Sequence, residues 1–203
     1  TSSRRQRQMC IRDRLDILVS NAGAAHAGLM LSISNDELRN AFELNFFSHY
    51  SFSTEAAKIL KNQNRGGQIL FNISKQAVNP GQNFGSYGLP KATTFFLMRQ
   101  LALELGSDGI RVNGINADRI RSGLLTDDFI SSRAKSRGVS ETEYMAGNLL
   151  NKEVKAEHVA NAFTSLACAE STTGHVMTVD GGNIEASLRL SLIHISEPTR
   201  LTS

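Results

Sequence analysis

Short apolar runs ending in turn-forming residues alternate along this chain with longer segments of helical periodicity. Leu15-Asp16-Ile17-Leu18-Val19-Ser20 runs into Asn21-Ala22-Gly23 and predicts a buried strand followed by a turn. Ser34-Asn35-Asp36-Glu37 has capping-box spacing, in which the Ser and Glu side chains satisfy free N–H groups at a helix start. A helix is therefore expected from there to about Lys61, with Leu38, Phe42, Leu44 and Phe46 beginning its buried stripe. Gly66-Gly67 breaks that helix, and Gln68-Ile69-Leu70-Phe71-Asn72-Ile73 reads as the next strand. After the loop chemistry of Asn79-Pro80-Gly81, a helix rich in Ala, Leu and Phe is predicted from about Tyr87 to Leu105. Pro90 is compatible with it only in the first turn. A third strand is expected over 110–116, then two short helices capped at Thr126 and Ser140, a helix over 155–169, and a last strand over 175–179.

Strands alternating with long helices argue for an α/β fold, a doubly wound parallel sheet with right-handed crossovers. Ligands in such sheets sit beyond the carboxyl ends of the strands. Asn21-Ala22-Gly23, Ser74 and Asn116-Ala117-Asp118 all follow predicted strands and should open onto one crevice.

Chemistry concentrates at the same place. Tyr87 and Lys91 are four residues apart, so they share a helix face, and Ser74 lies thirteen residues upstream at a strand end. A nearby ammonium favours phenolate and lowers a tyrosine pKa, which suits proton exchange with an alcohol or ketone. A serine hydroxyl beside it can hold the carbonyl oxygen. Arg119 and Arg121 follow the third strand, where a guanidinium could pair with a substrate carboxylate or phosphate. Arg133, Lys135 and Arg137 come next and read as a solvated basic face. Asp127-Asp128 fits the first turn of a helix better than an acid/base pair. His26 is a loop histidine without a required role, His158 and His175 read as structural, and no Cys/His cluster has metal-ligand spacing.

The two ends change the picture of charge. Met9-Cys10-Ile11-Arg12-Asp13-Arg14 and Leu190-Ser191-Leu192-Ile193-His194 can be encoded by one DNA element read in opposite orientations. They resemble translated transposon adaptors, so residues 1–14 and 190–203 are read as not natural and 15–189 as the natural protein, one domain. The first fourteen residues carry five Arg against Asp13, and removing that +4 from a total of +3 leaves −1. The basic balance therefore gives no reason to expect a nucleic-acid or membrane partner. No run approaches the length of a membrane span. Cys168 becomes the single natural cysteine, expected to be buried and inert, as suits a reducing, cytoplasmic setting.

In this order the motifs resemble the short-chain dehydrogenase/reductase family over essentially all of 15–189: Asn21-Ala22-Gly23 after a strand, Asn45 in the following helix, Ser74, then Tyr87 and Lys91. Asn113 to Ser122 and Thr173-Gly174-His175 through Asp180-Gly181-Gly182 continue the match. The resemblance implies a Rossmann-like fold and NAD or NADP as cofactor. It implies that Tyr87 is the general acid/base, that Lys91 lowers its pKa and binds the nicotinamide ribose, and that Ser74 orients the substrate oxygen. Asn45 would hold a relay water behind Lys91. Asn21, Ala22 and Gly23 would line the adenosine and ribose side, and Ile120 and Ser122 would face the nicotinamide amide. The family usually has Pro-Gly where this chain has Ala117-Asp118. The family also begins with a glycine-rich phosphate-binding turn, absent before Leu15. Roughly 80 residues, the first half of the nucleotide-binding sheet, are thus expected to be missing.

Ser74 to Gly81, Asn116 to Leu124 and Tyr144 to Leu150 further resemble the dehydrogenase half of bifunctional aldolase/short-chain dehydrogenase proteins of rhamnose-type sugar catabolism. That resemblance implies a class II aldolase domain upstream, a small hydroxy-aldehyde, sugar or polyol substrate, and a homo-oligomer when complete, with the present fragment inactive alone. A 3-oxoacyl-thioester reductase and a non-catalytic assembly module are the alternatives.

Overall fold

The structure, a computed structural model, describes residues 14–25 and 27–183. His26, Cys10 and nearly all of the two segments read as foreign lie outside the described residues. The elements run β1 (Ile17–Ser20), α1 (Asn35–Phe42), a π-helical turn (Glu43–Phe47), α2 (Ser48–Gln63), β2 (Gly67–Asn72), a 3-10 turn (Lys75–Ala77) and α3 (Gly85–Leu105). A 3-10 turn (Gly106–Asp108), β3 (Ile110–Ala117), α4 (Asp127–Ser136), α5 (Glu141–Met145), α6 (Ala156–Cys168) and β4 (Val176–Val179) follow. Among the described residues the strands form one parallel sheet in the order β1-β2-β3-β4. This is the Rossmann-like architecture that the alternation predicts.

Alternate side chains of a strand point to opposite faces, and both faces of β2 and β3 are covered. Ile69 and Phe71 of β2, with Ile110 and Val112 of β3, pack against Leu60 of α2 and Met98 and Leu101 of α3. Leu70 and Ile115 point the other way, onto Ala162 and Leu166 of α6. Leu60 has no exposed surface, so Leu60→Ala should cost about 2–5 kcal/mol. A separate small cluster of Leu125, Ile130, Ala134, Tyr144 and Met145 holds α4 and α5 together. Its helix starts are those expected: Thr126 and Ser140 accept backbone N–H groups from Phe129 and Glu143. The Ser34/Glu37 capping box also forms.

Three expectations need correction. Phe84 accepts from Tyr87 N (3.2 Å) and Gly88 N (2.7 Å), so α3 starts at Gly85 and Pro90 falls in its second turn. Leu44 is 40% exposed, while the buried row of the α1–α2 segment is Ala41, Asn45, His49 and Ser53. The π-helical turn, which carries Leu44 and Asn45, inserts a residue into the helical period and rotates the apolar stripe away. Cys168 is exposed rather than buried, because it lies at the last position of α6, off the face carrying Ala162 and Leu166.

Candidate active site

Beyond the carboxyl ends of the strands lies a cleft of about 960 Å³, lined by Asn21, Gly23, Ser74, Tyr87, Lys91, Asp118, Arg119, Ile120, Arg121 and Ser122, among others. Ala22 is exposed beside it and is not among its lining residues. Ser74 leaves β2 in extended conformation and caps the 3-10 turn, accepting a hydrogen bond from Gln76 N at 3.2 Å. Its side chain also hydrogen-bonds that of Tyr87. Gly88 permits this meeting: a Cβ there would stand 3.0 Å from the Gln76 carbonyl oxygen, so a larger residue would push α3 off the Ser74 turn. Lys91, one turn on, is 2% exposed; its Nζ lies 5.8 Å from the centre of the Tyr87 ring and donates to the Asn72 carbonyl at 3.0 Å.

The electrostatics differ from the simple expectation. Burial raises the Tyr87 pKa above its ordinary value, and the hydrogen bond with Ser74 opposes that rise. Burial also lowers Lys91 from 10.5 to about 8. In this state desolvation, which penalises phenolate and ammonium alike, outweighs attraction between them. Burial thus overrides the expected lowering of Tyr87 by Lys91.

Behind Lys91 most of the buried polar row is engaged, though His49 Nε2 has no hydrogen-bond partner among the described residues. Asn45 Nδ2 donates to the carbonyls of Ala24 (2.9 Å) and Ala41 (3.1 Å), its Oδ1 accepts from Ala24 N (3.2 Å), and its carbonyl accepts from Thr94 Oγ1 (2.7 Å). Asn45 thus ties the loop after β1 to α3. A Cβ on Gly23 would lie 2.8 Å from Asn45 Oδ1 and 3.7 Å from Lys91 Nζ, so the main chain here passes directly over both. Ser20 Oγ and His49 Nδ1 share a hydrogen bond at 2.6 Å, which fixes the end of β1. His49 falls from 6.5 to about 4 through burial first and the Lys91 charge second, with the Ala22 backbone opposing. Asn72 completes the floor by donating to Asn21 Oδ1 at 2.7 Å. Sequence patterning does not single out His49, Asn72 or Thr94; the one signal is that His49 lies four residues past Asn45, on the same face.

Ala117-Asp118 is a built feature rather than a damaged turn. The buried Asp118 carboxylate pairs with Lys75 (3.0 Å) and Arg119 (3.3 Å) and accepts from Asn183 Nδ2, joining the Ser74 turn, the end of β3 and the segment after β4. Arg119 adopts a left-handed φ of 53°, donates to the Tyr144 carbonyl at 2.6 Å and lies 4.9 Å over the Tyr144 ring. Arg121 bridges Asp127 (2.5 Å) and Glu153 (2.7 Å). Both line the cleft, and each guanidinium is paired with a carboxylate, so a substrate anion would compete with Asp118 at Arg119 and with Asp127 and Glu153 at Arg121. Asp127 and Asp128 sit in the first turn of α4. Ser122 Oγ donates to the Ile120 carbonyl at 3.2 Å, which shapes the chain where both face the cleft. Among the described residues no group of His, Cys, Asp and Glu is placed to hold a metal ion, and no helix is long and apolar enough to cross a membrane.

A parallel sheet with Ser, Tyr and Lys gathered beyond its strand ends defines the class as an oxidoreductase-type α/β domain. A family model described as Enoyl-(Acyl carrier protein) reductase matches residues 7–183, starting inside the segment read as foreign. The chain is 34% identical over 176 residues to the uncharacterized oxidoreductase YuxG of Bacillus subtilis, covering 83% of this chain and 26% of that protein. It is 30% identical over 190 residues to the short-chain dehydrogenase reductase ATA1 of Arabidopsis thaliana, covering 89% of this chain and 70% of that one. The fold matches a carveol dehydrogenase from Mycobacterium avium, solved in complex with NAD, with a TM-score of 0.79 at 22% identity, over 88% of this chain and 68% of that one. The chain belongs to the short-chain dehydrogenase/reductase family. It spans 61% and 65% of two further curated relatives.

Proposed function

We propose that this chain is the catalytic part of an NAD- or NADP-dependent oxidoreductase that interconverts an alcohol and a carbonyl on a small hydroxy-aldehyde, sugar or polyol. The observation that carries it is the convergence of Ser74, Tyr87 and Lys91 in one cleft, with Ser74 and Tyr87 sharing a hydrogen bond. The residues fit a nicotinamide dinucleotide. At Gly23 the main chain passes so close to Asn45 and Lys91 that a side chain would fill the cradle, and Lys91 presents an ammonium in its floor. Once bound, the cofactor supplies or accepts the hydride. Tyr87 passes the proton at the substrate oxygen, Ser74 holds that oxygen, and Lys91 places positive charge beneath Tyr87 and the ribose. Asn21 and Gly23 would line the ribose side of the cofactor with Ala22 beside them, Ile120 and Ser122 would face its nicotinamide amide, and Asn45 steadies Lys91's surroundings. Ser74→Ala should lower kcat for carbonyl reduction while leaving cofactor affinity in place; an unchanged kcat would remove Ser74 from the mechanism.

Residues 15–189 are then the C-terminal part of a dehydrogenase domain, with 1–14 and 190–203 foreign and a glycine-rich half upstream. Ile17 (44% exposed) and Val19 (48%) share one face of the outer strand β1, and their exposure supports further chain covering that face in the whole enzyme. The 26% share of the Bacillus relative supports a larger polypeptide, in which we place an N-terminal class II aldolase domain and a role in carbohydrate metabolism. Exposed Phe52, Phe96 and Leu103 support a homo-oligomer. The cytoplasm is the setting that suits an unpaired, exposed Cys168. A thioester reductase is the second reading, favoured by the description of the matching family model; turnover of a 3-oxoacyl thioester in preference to small hydroxy-aldehydes would select it.

A further inference from the structure

Four arginines line the cleft, and they are not equivalent. Arg119 and Arg121 are engaged by Asp118, and by Asp127 with Glu153. Arg133 and Arg137 of the α4 region make no ion pair among the described residues. Arg137 Cζ lies 5.2 Å over the Tyr144 ring, at the C-terminal end of α4. Arg133 is the more confined. Its Cζ stands 5.9 Å from the ring centres of both Phe84 and Phe129, which contact each other edge to face at 5.7 Å. Its Nε is buried and has no hydrogen-bond partner among the described residues. Both rings border this guanidinium, and a buried N–H without an acceptor is uncommon in a folded protein. Phe84 is also the residue whose carbonyl starts α3, so Arg133 is anchored to the turn that presents Tyr87.

We propose that Arg133 is a specificity-determining residue that seats a carboxylate or phosphate of the substrate, while Ser74 and Tyr87 hold its reacting carbonyl. This rests on the oxidoreductase reading above. The planar fork of a guanidinium matches either oxyanion. Arg137 adds a second positive charge along the same wall. The basic face expected to be merely solvated thus turns two of its members, Arg133 and Arg137, toward the cleft.

The test is calorimetric titration of the chain extended upstream through the glycine-rich half, with no turnover required. The probes are dihydroxyacetone phosphate for the phosphate arm, pyruvate for the carboxylate arm, neutral dihydroxyacetone, and NADH. At least one anionic probe should bind more tightly than dihydroxyacetone. Arg133→Gln should weaken that anion about ten- to a hundredfold, as loss of a charge-assisted pair implies. Arg133→Lys, which keeps the charge but not the fork, should fall between and also reports if the Gln variant does not fold. Arg121→Gln should change anion affinity little. Equal binding of the anionic and neutral probes, anion affinity unchanged in Arg133→Lys and Arg133→Gln, or a matching loss of NADH affinity would overturn the proposal. Tyr87→Phe should still bind the anion, so failure of the catalytic reading would appear separately, as retained turnover in that variant of the enzyme.

Discussion

At the residue scale, burial dominates the chemistry of this cleft. His49 shows it most plainly. Its proton is taken up near pH 6.5 in the unfolded chain but only near 4 in the folded one. Between those values the unfolded state binds more protons, so stability rises with pH and falls as pH drops from about 6.5 toward 4. Urea midpoints should decline across that window, and His49→Gln should flatten the decline. An equal slope in the variant would show that another group titrates there. Lys91 works in the same sense at higher pH: its folded value of about 8 lies below 10.5, so its contribution to stability rises between the two. The i, i+4 spacing made the shared helix face of Tyr87 and Lys91 legible in the sequence, and the strand end and the family resemblance pointed to Ser74 beside them. The direction of the Tyr87 shift was not legible, since spacing gives proximity to Lys91 but not the depth of burial of either group.

At the scale of elements, the site depends on how closely α3 approaches the turn after β2. Gly88→Ala would put a methyl 3.0 Å from the Gln76 carbonyl oxygen, a backbone atom with little room to move. The variant should lose about 1–3 kcal/mol, as overpacking does, and should lower kcat by parting Ser74 from Tyr87. Thermal unfolding and steady-state kinetics would check both; normal kcat would mean that the two hydroxyls need no such approach. Strands, helices and caps were legible because period and capping chemistry are local. The α1–α2 stripe was not. Its buried row, Ala41, Asn45, His49 and Ser53, is small or polar, and a reading weighted by hydrophobicity prefers Leu44. Those polar groups are buried because hydrogen bonds to Ala24, Ser20 and Thr94 satisfy much of their bonding capacity, which depends on tertiary placement. The engagement of Arg119 and Arg121 was hidden for the same reason: Glu153 is 32 residues from Arg121.

At the scale of the whole molecule, the proposed function makes this chain part of a larger enzyme. The 203-residue chain should show no NAD- or NADP-dependent turnover, and a chain extended upstream through the glycine-rich half should gain it. Turnover by the shorter chain would contradict the proposed division of the domain. The extended enzyme should sediment as a homo-oligomer, and Phe96→Glu with Leu103→Glu should shift it toward monomer; an unshifted boundary would place the interface elsewhere. The central claim is that Tyr87 carries the proton of a hydride transfer. Its most direct test is single-turnover hydride transfer by Tyr87→Phe in the extended enzyme at saturating cofactor. The ring remains, so cofactor affinity should hold while the rate falls about 10²–10⁴-fold, the usual contribution of a general acid/base. A rate above about a tenth of wild type would contradict the assignment.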